Sequence, residues 1–168
     1  MAVNLIVGSN SYIGVTDADQ YFANRLYSDA WVNASADQKA QSLIMASKRI
    51  DRLNYRGKKA DPNQTMKFPR AIFANNPGTY AIDPKAVQTY PGWVYEIDVA
   101  QCVKEAVCEE ALMLLKGSSQ RVELQAQGVH SFQIGNLSET FTGEVVKLLS
   151  PDARELLRKY MAGSVNII

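Results

Sequence analysis

Few residues in this sequence have the types and spacing that catalysis or metal binding needs. The chain contains one histidine, His130, and two cysteines, Cys102 and Cys108. A metal site with several histidines is therefore excluded within one chain, as is a catalytic group with more than one imidazole. The two cysteines lie six apart on a predicted helix, about 120° apart around its axis, which prevents a disulfide and disfavours a shared metal. We expect free thiols, a structural histidine, no metal and no cofactor.

The common catalytic motifs are also missing from the sequence. There is no Gly-x-Ser-x-Gly elbow, and no Gly-Lys-Ser or Gly-Lys-Thr follows Gly8 or Gly14, as a phosphate-binding loop requires. The carboxylates are spread over predicted helix faces. We therefore predict no catalytic residues and no enzymatic activity.

One carboxylate interrupts an apolar helix face. Glu110 falls between Val107 and Leu114 on that face, where an unpaired carboxylate is strongly unfavourable. We predict a structural ion pair at Glu110, with Arg49 or Arg70 as the basic partner, or contact with a neighbouring subunit. A catalytic acid is the alternative interpretation.

Basic residues are concentrated in one short part of the chain. Residues 48–70 contain only two acids, whereas residues 96–123 are acid-rich. Two solvated faces of opposite sign would explain this placement, as would head-to-tail association of copies or contact with phosphates. Basic residues beside Tyr55 also fit binding of single-stranded nucleic acid. The basic residues are Lys48, Arg49, Arg52, Arg56, Lys58, Lys59, Lys67 and Arg70.

Composition is that of an ordinary globular domain. The 168 residues are 46% hydrophobic and 21% charged, with a formal net charge of +1. Bulk charge therefore does not predict a polyanion binder, and such a role needs a local patch. The N-terminal segment lacks the features of a signal peptide, and no apolar run approaches the ~20 residues of a membrane span. We expect a soluble intracellular product without membrane contact.

Two amphipathic segments predict the longest helices. The segment from Asp98 to Lys116 has one broad apolar stripe, with Asp98 as the expected N-cap and Gly117 as the expected stop. A capping box at Ser35 predicts a second helix that runs to about Leu53. We expect these two helices to pack antiparallel.

The remaining segments predict shorter or irregular structure. Asn54 to Ile97 is rich in Pro, Gly and Asn, and predicts a long loop with only short regular pieces. Alternating residues on both sides of Gly135-Asn136 predict a β-hairpin. Ser150-Pro151 predicts the start of a C-terminal helix, followed by an apolar tail.

Together these segments predict a mainly α fold in a single domain. It consists of a small helical bundle with two long antiparallel helices, a long irregular loop, a projecting β-hairpin and a C-terminal helix with a tail. We place the bundle at about 16–117 and 144–162, the hairpin at about 120–143 and the tail at 163–168 of the single domain 1–168.

Several short motifs occur in a characteristic order along the chain. The second main helix is followed by an aromatic-x-Gly-x-Lys/Arg stretch, a Gln and a Phe-Pro-Arg element, here Tyr55 to Lys59, Gln64 and Phe68-Pro69-Arg70. An early Tyr-Phe-x-x-Arg-Leu and a Trp precede them, and a Val-x-x-Ala helix and a C-terminal Leu-Leu-x-x-Tyr follow. This order resembles the head-tail adaptor (connector or head-completion) proteins of tailed bacteriophages. The insert at about 75–93 and the extension beyond Tyr160 depart from the family pattern.

This resemblance implies a structural virion protein at the phage neck. Such adaptors assemble as a ring, usually dodecameric, that docks on the portal protein and extends the channel through which packaged DNA passes. A tail, stopper or tail-terminator protein attaches below, and the protein is made in the host cytoplasm. Some relatives are described as DnaT-like single-stranded DNA-binding proteins, so a single-stranded DNA-binding module of a replication protein is the alternative.

The predicted contacts with partners come from the basic segment, the Phe-Pro-Arg corner and the apolar tail. We expect the basic segment to face the portal or a neighbouring subunit and not the DNA channel. The candidate partner-binding residues are Arg49, Arg52, Arg56, Lys58, Lys59, Phe68, Arg70, Val165, Ile167 and Ile168.

Overall fold

Helices and a small sheet alternate along the chain. The computed structural model describes residues 3–73, 87–89, 92–117, 131–134, 137–140 and 148–162, and the strands at 87–89, 131–134 and 137–140 are described by their backbone. The helices are α1 (Val15–Ala23), α2 (Asp29–Val32), α3 (Ala36–Asp51), α4 (Gln101–Lys116) and α5 (Pro151–Leu157). The strands are β1 (Lys58–Lys59), β2 (Arg70–Phe73), β3 (Val87–Thr89), β4 (Trp93–Tyr95), β5 (Ser131–Ile134) and β6 (Leu137–Thr140).

Helix α4 lies at the centre of the packed core. It contacts α1, α2, α3 and α5, and eight consecutive or near-consecutive side chains from Val103 to Leu112 are buried. Because α4 is covered on several sides, its buried residues are not confined to one face, as they are in a surface helix. The core around it includes Trp31, Leu43, Ile50 and Leu157.

Helix α3 begins as the sequence predicts. The Ser35 hydroxyl accepts a hydrogen bond from the Gln38 backbone N–H at 3.3 Å, and the Gln38 side chain accepts one from the Ser35 N–H at 2.9 Å. This reciprocal pair satisfies two of the N–H groups that every helix start leaves unpaired. The capping box is therefore confirmed, and α3 ends at Asp51, two residues before the predicted end.

Helix α4 begins later than the sequence predicts. Its N-cap is Ala100, without a side-chain hydrogen bond, and Asp98 lies in the preceding turn. The shift follows from the strand before the helix, because Glu96 N donates to Arg70 O at 3.0 Å and holds the chain in the sheet. At the other end Gly117 has φ of +80°, as expected for a glycine after a helix.

The segment predicted to be a long irregular loop contains a four-stranded antiparallel sheet. The strand order is β1-β2-β4-β3. Ile72 pairs with Val94 at its centre, and Lys58 pairs with Ala71 at the β1 edge. Each strand has two to four residues, so none is long enough to show the alternation that predicts strands.

The prediction of a mainly α helical bundle is therefore wrong. Over the described residues the fold is mixed α/β without a clear bundle of two long antiparallel helices, because α4 packs against four helices and four short strands form a sheet. The strands within residues 58–95 pair with segments distant in sequence. The hydrophobic periodicity of one segment does not reveal such pairing.

The hairpin and the C-terminal helix are present where the sequence predicts them. β5 and β6 pair antiparallel, with Ile134 opposite Leu137 across the predicted turn. The Ser150 hydroxyl accepts a hydrogen bond from Ala153 N at 3.1 Å, and Pro151 occupies the first turn of α5. The tail at 163–168 and its candidates Val165, Ile167 and Ile168 lie outside the described residues. No helix in the described ranges is long and apolar enough to span a membrane.

Candidate functional site

Three aromatic side chains and one lysine share one face of the four-stranded sheet. Side chains alternate between the two faces along a strand, and the central pair Ile72 and Val94 is buried, 5% and 6% exposed. The neighbours of Ile72 and Val94 along β2 and β4 therefore point to the other face of the sheet. Phe73 on that face is 53% exposed. We call this surface the aromatic face, and its residues are Lys58, Phe73, Trp93 and Tyr95.

The aromatic face has a specific internal geometry. The Lys58 ammonium lies 4.4 Å from the centre of the Trp93 ring and 5.6 Å from that of Tyr95. The Phe73 and Trp93 rings are 5.5 Å apart with their planes at 73°. Ala71, between Lys58 and Tyr95 in the pairing, is fully buried, so the small residue leaves room for the lysine to reach the rings.

Such a face can bind a molecule that combines flat aromatic groups with negatively charged groups. Every nucleic-acid base has a π-face that stacks on aromatic side chains, and a nearby cation pairs with the backbone phosphates. A lysine held over a tryptophan ring by a cation–π contact is already positioned between a stacking surface and the solvent.

The arginines of the predicted basic cluster are only partly available to a partner. Arg49 Nη1 lies 3.1 Å from Glu110 Oε1. Arg56 donates through Nη2 to the Lys159 carbonyl. Arg52 is exposed at the C-cap of α3. Of these three arginines, Arg52 has the most accessible side chain.

The Phe-Pro-Arg corner is part of the interior. Phe68 is 3% exposed and packs edge-on against the rings of Tyr12, Tyr55 and Tyr160 at 4.8–5.6 Å. The peptide bond between Phe68 and the following proline is cis. A side chain so enclosed is a core residue and does not present a surface to another chain.

Arg70 has a structural role within this corner. It is 5% exposed, and its guanidinium donates to the carbonyls of Arg56, Lys67 and Gly57 at 3.0, 3.1 and 2.9 Å. Burial lowers the pKa of Arg70. Tyr55 does not lie on the aromatic face, because its ring packs on Phe68 and its hydroxyl donates to Ile50 O at 2.8 Å.

Glu110 holds the start of α5. Its carboxylate is fully buried, and besides Arg49 it accepts hydrogen bonds from Leu149 N and Ser150 N, each at 2.9 Å. Arg49 is one of the two partners that the sequence indicates. The backbone donors come from the turn before α5 and could not be read from the sequence.

Glu109 lies opposite the apolar stripe that the sequence predicts for this helix, and it is also buried. It accepts from Tyr21 Oη at 2.6 Å and from Arg25 Nη2 at 2.7 Å. The two carboxylates are therefore satisfied at different elements, and neither is a free acid for catalysis. Burial also raises the pKa of both Cys102 and Cys108, which keeps them as thiols. No group of three metal-ligating side chains occurs in the described part of the chain.

The aromatic face is not evident from the sequence, where Phe73, Trp93 and Tyr95 lie in the segment that predicts a long irregular loop. The available signal was the alternation Trp93-Val94-Tyr95, in which two aromatic residues flank a β-branched one. The partner Lys58 was singled out for its charge, but it was associated with Tyr55.

Comparison with known proteins identifies a family. Curated proteins and solved structures give no match to this chain. A family model described as "Putative DnaT-like ssDNA binding protein" matches residues 4–168. This match agrees with the DnaT-like part of the resemblance, and it does not extend to the head-tail adaptors. The chain belongs to this DnaT-like single-stranded DNA-binding protein family.

Proposed function

We propose that the protein binds single-stranded DNA through the aromatic face. The observation that supports this most is the Lys58 ammonium 4.4 Å above the Trp93 ring, beside the exposed Phe73 ring. The description of the family supports the same ligand.

In this proposal the bases stack on the rings and the lysine contacts the phosphates. A base that stacks on Trp93 takes the place of the Lys58 ammonium, and the lysine chain is long enough to turn toward the adjoining phosphate. Because the planes of Phe73 and Trp93 are 73° apart, one ring stacks flat on a base while the other meets its neighbour at an edge. Stacking requires no particular base, so binding tolerates many sequences.

Replacing Trp93 by alanine should weaken binding of oligo(dT) because it removes the central stacking surface. Loss of one base–aromatic stack costs about 1–3 kcal/mol, so we expect the dissociation constant to rise between about 5-fold and 150-fold. Fluorescence anisotropy of a labelled oligonucleotide at fixed, low salt measures this change. Tyr27→Ala is the matched control, since Tyr27 is 80% exposed and lies between α1 and α2, away from the sheet.

Lys58→Gln tests the electrostatic part of the same proposal. Removal of one phosphate contact should lower the slope of log affinity against log salt by about 0.7 for a single strand. Wild-type protein that does not bind oligo(dT) at low salt, or a Trp93→Ala variant with unchanged affinity, would contradict the proposal.

A ring-forming adaptor at the phage neck is the second candidate function. One observation favours a protein partner: Leu26 and Tyr27 are each 80% exposed, and Val32 close by in sequence is 66% exposed. Contiguous exposed apolar patches are typical of protein-binding surfaces, and Leu26 and Tyr27 are neighbours in the chain. In this candidate the partner is the portal protein, and the ring forms on it.

Size measurement separates the two candidates. A ring-sized complex on mixing with the portal, lost in a Leu26→Ser, Tyr27→Ser double variant, would support the adaptor. Salt-sensitive binding of oligonucleotides by a small species, with no complex on the portal, would support the DNA-binding module.

A further inference from the structure

A second basic site lies on the other side of the β1-β2 edge. Lys59 follows Lys58 in β1 and pairs with Arg70, so both residues alternate away from the aromatic face. They line a pocket of about 370 Å³ together with Asn54, Tyr55 and Lys67. Three of the five lining residues are cations and none is an acid.

Each cation is held in place by backbone carbonyls. Lys59 Nζ donates to Gln64 O at 2.8 Å, and Lys67 Nζ donates to Leu53 O at 2.8 Å. An ammonium group has three N–H donors, and within the described residues each of these two lysines has this one acceptor. Each lysine therefore keeps N–H groups for a further acceptor.

Two of the three cations lie close to the Tyr55 ring, which also lines the pocket. Its centre lies 6.0 Å from Lys67 Nζ and 5.5 Å from the Arg70 guanidinium carbon. Burial raises the pKa of Tyr55, so the ring remains neutral. Because the Tyr55 side chain is neutral, it does not cancel the charges of Lys67 and Arg70.

Two acids, Asp51 and Glu96, lie close to these cations. Asp51 and Glu96 both act electrostatically on Arg70. Asp51 Oδ1 accepts hydrogen bonds from Lys67 N at 2.7 Å and from the Tyr12 hydroxyl. Glu96 accepts from Arg70 N at 2.9 Å and from the Tyr160 hydroxyl. The three cations that line the pocket outnumber these two carboxylates, which leaves a net positive charge, and a bound anion would favour the buried charge of Arg70.

We propose that this pocket binds a phosphate group. A phosphate carries about −1.5 to −2 charges as a monoester at neutral pH and has several strong acceptor oxygens, which matches two lysines with free donors beside an arginine. The volume leaves room for part of the molecule that bears the phosphate. The phosphate belongs either to a small free ligand or to a DNA strand that passes over β1. This proposal does not depend on binding at the aromatic face.

Titration with inorganic phosphate, followed by amide chemical shifts at low ionic strength, tests the pocket directly. We expect saturable shifts at residues 54–70 in the wild-type chain. Lys59→Gln and Lys67→Gln should each weaken binding at least about tenfold, because glutamine keeps a donor for the carbonyl and removes the charge. Lys48→Gln, an exposed lysine of α3 outside the pocket, should leave binding unchanged.

A second arm identifies the source of the phosphate. If it belongs to DNA, Lys59→Gln also weakens oligonucleotide binding; if it is a free ligand, this variant affects inorganic phosphate alone. Trp93→Ala should bind inorganic phosphate like the wild type, so failure of the aromatic-face proposal would not be confused with failure of this one. The phosphate site would be overturned if phosphate binding to the wild-type chain did not saturate. It would also be overturned if Lys59→Gln and Lys67→Gln both bound phosphate as tightly as the wild type.

Discussion

Glu110→Ala should destabilise the protein by about 3–5 kcal/mol, the range measured when one partner of a buried ion pair is removed. Three donors lose their acceptor in this variant: Arg49 Nη1, Leu149 N and Ser150 N. Arg49 is partly exposed and can be hydrated. The two backbone N–H groups lie at the start of α5, and each unpaired buried donor costs about 1–3 kcal/mol.

Urea unfolding gives the measurement, with stability read from the midpoint and the slope. Glu105→Ala is the matched control, because Glu105 lies in the same helix, is less buried and accepts a hydrogen bond only from the exposed Gln101 side chain at 3.2 Å among the described residues. We expect that control to change stability by no more than about 0.5 kcal/mol. A loss equal to that of Glu105→Ala would contradict the role of Glu110 as the anchor of α5.

Gly57→Ala should destabilise the sheet by about 2–5 kcal/mol. Gly57 has φ of +78°, and a Cβ at this position would lie 2.2 Å from the Ala71 carbonyl oxygen. The left-handed backbone costs a non-glycine residue about 1–2 kcal/mol, and the forced contact adds about 1–3 kcal/mol. The strain falls on the pairing of β1 with β2, which places Lys58 over Trp93.

The control for this variant is Gly117→Ala. Gly117 has φ of +80°, and a Cβ there would meet nothing within 4 Å, so this substitution carries only the backbone cost of about 1–2 kcal/mol. Thermal or urea unfolding of the two variants therefore separates backbone strain from the clash with Ala71. Equal losses would show that β1 can move away from β2 at little cost.

The local elements of this fold were predictable because their signals lie within a few residues. The Ser35 capping box, the Ser150-Pro151 helix start and the hairpin around residues 135–136 each combine a cap or turn with a short periodic pattern. Both long helices were also found, although α4 starts later than Asp98 because the preceding chain is held in the sheet.

The sheet was not predictable in the same way. β1, β2 and β4 come from residues 58 to 95, and each pairing joins strands too short to show a pattern of their own. Glu109 illustrates the same limit. Its position on the predicted polar side of the helix indicates exposure, but Tyr21 of α1 and Arg25 just after α1 cover that side.

The candidate site depends on these non-local pairings. The sequence identifies Lys58 by its charge and Trp93 by its aromatic ring, yet only the register of β1, β2 and β4 brings them within 4.4 Å. The basic segment at residues 48–70 is predicted from its charge to contact partners, but Arg49, Arg56 and Arg70 are largely engaged within the chain. Charge in a sequence indicates a surface only when the fold leaves it exposed.

The most direct test of the central claim uses the two tryptophans of the chain. Trp31 is 1% exposed and donates to Asp19 at 2.8 Å, whereas Trp93 lies on the aromatic face. With 5-fluorotryptophan incorporated and the signals assigned through Trp93→Phe, titration with oligo(dT) should shift the Trp93 fluorine resonance and leave that of Trp31 unchanged. An oligonucleotide that binds without moving the Trp93 resonance would contradict the proposal that bases stack on this face.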